Sequence, residues 1–147
     1  FDHHSVVYEY EDGARIVSNT RQMKGCKSDI SVNVVGEKGM ALLTERKNGV
    51  RISGAKEWSF VGESKNLYQV EHDELFASIR AGKPINNGEY MAKSSLLAIM
   101  GRMATYTGQE ITWDMAWNSK EKLGPEKYQW GNLAAPPVAV PGVTRFV

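Results

Sequence analysis

The first sixty residues alternate. Val6, Tyr8 and Tyr10 interleave with Val7, Glu9 and Glu11, the period-two pattern that sends successive side chains to opposite faces of a strand. Asp12-Gly13 then predicts a type I′ hairpin turn, with a return strand over residues 14–20. A polar connection, 21–27, leads to the cleanest alternation in the chain. Ile30, Val32 and Val34 lie on one side of it, and Asp29, Ser31 and Asn33 on the other. Gly36 and Gly39 bracket a turn into a strand over 40–44. Asn48-Gly49 marks a further hairpin into 50–53, and a last strand carries Trp58 and Phe60. The pattern predicts a meandering, mainly antiparallel sheet.

After Glu63 the period changes. Asn66 is placed to cap a helix whose stripe is Tyr68, His72, Leu75, Phe76 and Ile79, and Gly82 with Pro84 ends it. A second helix runs from about Glu89 to Thr107 and stops at Gly108. Its apolar face is Ala92, Leu96, Ile99, Met103 and Tyr106. Beside it Ser94, Ala98, Gly101 and Thr105 form a small-residue stripe that permits close approach of another element. One or two helical turns are predicted over 112–118. From Lys120 onward glycine and proline punctuate the chain, ending in Pro136-Pro137-Val138-Ala139-Val140-Pro141, which favours an extended course.

Strands followed by helices predict an α+β fold: a mainly antiparallel open sheet with helices packed on one face, and a Pro-rich extended C-terminal tail. The domain would cover 1–119, truncated at its start because Phe1 leads straight into a strand pattern, with 120–147 as a tail packing on the domain or on a partner subunit. The second sheet face must be solvated or docked. Docking on the same face of a second copy gives a homo-oligomer with an isologous contact.

Composition narrows the partners. Lys and Arg number 18 against 17 Asp and Glu, a net charge of +1. No global field favours nucleic acid or an anionic membrane. No apolar run approaches the roughly 20 residues of a membrane span. A lone cysteine, Cys26, excludes an internal disulfide framework without fixing the compartment. A soluble protein, cytoplasmic or periplasmic, is expected.

Candidate chemistry is sparse. Gly36 and Gly39 lie between two strands, whereas a dinucleotide loop joins a strand to a helix with G-x-G-x-x-G spacing. Adjacent His3 and His4 point to opposite faces of a strand, so no metal site is expected. No strained G-x-S-x-G elbow is present, and Glu9, Glu11 and Asp12 sit on one hairpin rather than on facing strand ends as a glycosidase needs. His72 is expected to be a core or interface histidine, and most of Tyr8, Tyr10, Trp58, Trp113, Trp117 and Trp130 to be core or interface aromatics. The best local ligand candidate is the connection holding Arg21, Gln22, Lys24 and Cys26. It gathers a guanidinium, an amide, an ammonium and a thiol that could converge on a hydroxyl-rich molecule, or simply form a solvated loop.

Four segments carry a resemblance in order along the chain. They are 68–84 (YQVEHDELFASIRAGKP), 94–107 with AIMGRMA within it, 108–113 (GQEITW) and 136–142 (PPVAVPG). Together with Arg21-Gln22-x-x-Gly25-Cys26 they resemble the carboxyl-terminal domain of Gfo/Idh/MocA oxidoreductases, in a bacterial branch. The resemblance implies a two-domain parent in which an N-terminal Rossmann domain, outside this chain, binds NAD or NADP. The C-terminal domain then helps bind a sugar, cyclitol or related polyol and builds oligomers. The family's glycine-rich loop, Glu-Lys-Pro lysine and Asp-x-x-x-His histidine have no counterpart here. His72 is preceded four residues earlier by Tyr68, not aspartate. The resemblance therefore implies no catalytic and no cofactor-binding residue in this chain, and Arg21, Gln22, Lys24 and, less directly, Cys26 facing the substrate cleft. A non-enzymatic binding or assembly module with the same fold is the alternative.

Overall fold

The computed structural model describes residues 1–45, 49–63 and 65–147. Its described elements are β1 (His3–Glu9), β2 (Arg15–Arg21), β3 (Ser31–Gly36), β4 (Gly39–Thr44), β5 (Arg51–Gly54), β6 (Trp58–Ser59), α1 (Leu67–Arg80), α2 (Gly88–Thr107) and α3 (Trp113–Asn118). The α+β class and the antiparallel pairing hold throughout. The strands, however, divide between two sheets, β1-β2 and β3-β4-β5-β6. The chain falls into two compact units, one of residues 1–24 and 86–147, the other of residues 25–85.

In the first unit β1 and β2 pair from His3↔Arg21 to Glu9↔Arg15. Their turn differs from the type I′ form that Asp12-Gly13 suggests. Tyr10 N–H donates to Ala14 O and Gly13 N–H donates to Tyr10 O, both at 2.9 Å, so the loop holds three residues, Glu11, Asp12 and Gly13. Gly13 has φ +84°. An i→i+3 turn closed by a left-handed glycine is the three-residue solution to the same twist problem, and Asp12 fixes it by accepting from Ala14 N–H at 2.9 Å.

Helix α2 packs on this hairpin because Gly101 lets it come close. A Cβ there would stand 2.3 Å from Tyr8 Oη and 3.5 Å from Val6 Cγ2. The small-residue stripe thus faces β1. Tyr8 Oη donates to Leu97 O at 3.0 Å, and His4 Nδ1 meets Thr105 Oγ1 at 2.8 Å. The buried apolar side chains are Met103 and Ala116, with Thr107 buried beside them and donating to Met103 O at 2.7 Å. Gly108 ends α2 in the left-handed conformation, φ +71°. Thr112 caps α3 by accepting from Met115 N–H at 3.2 Å.

After α3 the described chain has no helix or strand, and it returns to this unit at three points, Glu121, Gly142 and Val147. Arg102 forks onto Glu121 at 3.2 and 2.5 Å. Gly142 N–H donates to Thr107 O at 2.8 Å, while Ser119 Oγ donates to Val147 O at 2.6 Å and Lys120 N–H to the same oxygen at 3.2 Å.

The second unit is a sheet with one helix. Its strands run β3-β4-β5-β6, each antiparallel to the next, with Val32↔Leu43, Val34↔Ala41, Ala41↔Ile52 and Ile52↔Trp58 as facing pairs. Gly39 and Gly54 lie opposite each other, where the backbones press together. A Cβ on Gly39 would sit 2.2 Å from Ser53 O, and one on Gly54 2.4 Å from Lys38 O. Of the sequence's Asn48-Gly49 hairpin signal, Asn48 lies outside the described residues. Helix α1 begins where Asn66 Oδ1 accepts from Tyr68 and Gln69 N–H, at 3.0 and 3.2 Å. It ends on Gly82 at φ +67°, with Lys83 N–H returning to Ser78 O at 3.0 Å. Among the described residues α1 packs on no strand.

Candidate functional site

Three of the four predicted ligand residues fall in the first unit and one in the second. Arg21 is the last residue of β2, opposite His3. Gln22 follows and donates its N–H to Asp2 O at 2.7 Å. Lys24 is exposed beyond them. Cys26, exposed and in no disulfide, belongs to the second unit, just after Gly25 at φ +83°. The register adds two groups that the linear sequence does not place with Arg21, namely Asp2 and His3. The Asp2 carboxylate is 2.8 Å from His3 Nδ1, and that contact holds it below the usual carboxylate range. A guanidinium, an imidazole, a carboxylate and an amide therefore share the open end of the hairpin. Counting back from Asp12-Gly13 finds this pairing once the loop is known to hold three residues.

A larger concavity lies in the same unit. A groove of about 1040 Å³ runs beside β1 and is lined by Tyr10, Glu11, Met100, Gln109, Glu110 and Trp113 among others. Glu9 and Arg15, also on its wall, form an ion pair at 2.8 Å. Burial raises the Tyr8 phenol above the ordinary tyrosine value, because desolvation disfavours the phenolate. The Thr105 hydroxyl lies 3.0 Å from both Gly101 O and Arg102 O. The same hydroxyl meets His4 Nδ1 at 2.8 Å. His4 stacks near Phe1 and Tyr106, with ring centroids 5.8 and 6.0 Å away, and Arg102 lies over Tyr106 at 5.4 Å.

The second unit offers a face rather than a groove. Facing pairs in an antiparallel sheet project to one side, so Val32, Val34, Ala41, Leu43, Ile52 and Trp58 share a face. Val32, Val34, Leu43, Ile52 and Trp58 are 58, 56, 44, 44 and 50% exposed. No described apolar side chain of this unit is buried. The core placement expected of two groups does not hold here. His72 is an exposed residue bonded only locally, Nδ1 to Tyr68 O at 2.7 Å. Of the six aromatics, only Tyr8 is half-buried and Tyr10, Trp58, Trp113, Trp117 and Trp130 are exposed in this chain. Alternation identifies which side chains share a face but not whether anything covers that face.

Among the described residues no group of three or more His, Cys, Asp or Glu side chains is placed to hold a metal ion. No described helix is long and apolar enough to cross a membrane. The chain matches no family model, no curated protein and no solved structure.

Proposed function

We propose that this chain is the substrate-binding and oligomerisation part of an NAD(P)-dependent oxidoreductase acting on a sugar, cyclitol or related polyol. The cofactor is held by an N-terminal Rossmann domain outside it. The observation that carries this reading is the uncovered face of Val32, Val34, Leu43, Ile52 and Trp58. An apolar sheet face is stable in water only when docked, and a face rimmed by polar residues marks an association surface. The family resemblance of the sequence names the parent. Every described strand pair is antiparallel, whereas a dinucleotide fold is built on parallel strands with a glycine-rich strand-to-helix turn. That division of labour supports placing the cofactor elsewhere.

On this reading Arg21, Gln22 and Lys24, with Asp2 and His3 beside them, face the polyol. Donors and acceptors of that mixture suit adjacent hydroxyls, because each hydroxyl can give and accept one hydrogen bond. Isothermal titration of the chain with NAD and NADP is expected to give no heat of binding. Submicromolar affinity for either would overturn the proposal. Reduced polyol affinity after Arg21→Ala with Gln22→Ala, measured in the two-domain parent, supports the ligand role, and unchanged affinity removes it. An upstream sequence without a glycine-rich loop and a Glu-Lys-Pro lysine would favour the assembly-module alternative.

A further inference from the structure

β1 has one edge in use and one open. Tyr10 N–H donates to Ala14 O and Gln22 N–H to Asp2 O, and the ladder between them is unbroken. Hydrogen-bonded pairs alternate along an antiparallel ladder, so His4, Val6 and Tyr8 exchange their bonds with β2. The N–H and C=O groups of His3, Ser5, Val7 and Glu9 point the opposite way. The sheet has two strands only, so among the described residues no strand meets them.

The groove beside β1 follows this edge. Its lining takes in residues from both faces of the strand, Val6 and Tyr8 as well as Val7 and Glu9, as expected of a hollow alongside a strand and not of one on a sheet face. Helix α2 extends past the edge and offers Leu97, Met100 and Ala104, with Ile111 from the following connection and Trp113 from the start of α3. A strand laid about 4.8 Å from β1 would turn one set of side chains onto that apolar wall. Near the hairpin turn the lining is acidic. Glu9 and Glu11 stand there with Arg15 as the one cation of the lining, and Arg15 is already paired with Glu9.

Strand edges that must stay solvated are guarded by charged side chains, most often lysine, or by proline or a bulge. β1, with sequence HHSVVYE, has no lysine, proline or bulge, and its one formal charge is Glu9 at its end. A two-stranded hairpin is also marginal without a third strand or a packed helix. We propose that this groove takes one extended strand of a partner polypeptide, apolar at alternate positions and basic where it passes Glu9 and Glu11. Main-chain hydrogen bonds to His3, Ser5, Val7 and Glu9 hold it, and the α2 wall selects its side chains. This inference rests on the hydrogen-bond pattern of one unit and stands independently of the oxidoreductase reading.

The test is residue-resolved amide exchange on the full chain, with a seven-residue probe peptide that alternates valine and threonine between terminal lysines. Exchange at His3, Ser5, Val7 and Glu9 is expected to slow about tenfold or more. Val6 and Tyr8, already bonded to β2, serve as the reference. N-methylating the peptide amides that face β1 is expected to abolish the effect, and methylating the alternate set to leave it. The same peptide joined to Phe1 by a flexible linker, at roughly millimolar effective concentration, removes weak affinity as an excuse. No slowing in the tethered chain overturns the proposal. So does slowing that ignores the methylation phase, and so does slowing without peptide that grows with protein concentration, which would make a second copy the occupant.

Discussion

The two units apply the same strand alternation to opposite ends. In the hairpin unit, Val6 and Tyr8 alternate with Val7 and Glu9, and α2 covers the even-numbered face because Gly101 admits it to within contact distance of Tyr8. In the sheet unit, Val32 and Val34 alternate with Ser31 and Asn33, and no described element of that unit covers the apolar face. Alternation specifies a face, and a small-residue helix stripe specifies its cover. The helix of the sheet unit, α1, has no glycine or alanine run to match α2. Its interior sequence is LYQVEHDELFASIR.

The same charge placed on each face separates the two units most strongly. Val6→Lys is expected to cost about 3 kcal/mol, because the ammonium replaces a half-buried side chain beneath α2. Val34→Lys, on the exposed face, is expected to stay within about 0.5 kcal/mol in the dilute, unassociated chain. Urea denaturation at low protein concentration measures both. Equal costs would mean that the faces are equally covered.

Met103→Ala tests the buried centre of the hairpin unit and is expected to cost about 2–3 kcal/mol. Gly101→Val tests the close approach. Its side chain must displace Tyr8 Oη and forfeit the bond to Leu97 O, for about 1–2 kcal/mol in the same urea experiment.

The Tyr8 contact carries a pH signature. Its phenol is raised by burial, so the folded state holds the proton more tightly than the unfolded chain. That contribution is complete below the ordinary tyrosine value near 10 and is lost as pH rises through the raised value. Unfolding free energy measured from pH 9 to 12 is expected to fall more steeply for the natural chain than for Tyr8→Phe.

The smallest effect is at the tail. Arg102 and Glu121 side chains are 22 and 32% exposed, and a double-mutant cycle to alanine is expected to give a coupling of about 1 kcal/mol or less.

Much of the fold was legible in the residues. Asn66, Gly82, Gly108 and Thr112 mark helix ends by the side-chain and glycine chemistry that helix termini require, and the structure places the ends within a residue or so of the pattern. The hairpin loop length was less legible, because Asp-Gly serves both two-residue and three-residue turns and the choice depends on which backbone pair closes the ladder. The division into two sheets was not legible at all. Residues 21–27 read as a polar connection whether the strands on either side pair or part. The site followed the same limit. Arg21 and Gln22 stand out by composition, but Asp2 and His3 join them only through a register that composition does not encode.

Sedimentation velocity over a hundredfold range of concentration, on the natural chain and on Val34→Lys, tests the central claim most directly, namely that the uncovered sheet face is an association surface. The natural chain is expected to show a sedimentation coefficient that rises with concentration, and Val34→Lys to remain monomeric throughout. A natural chain that stays monomeric, or a Val34→Lys chain that associates equally well, would contradict it.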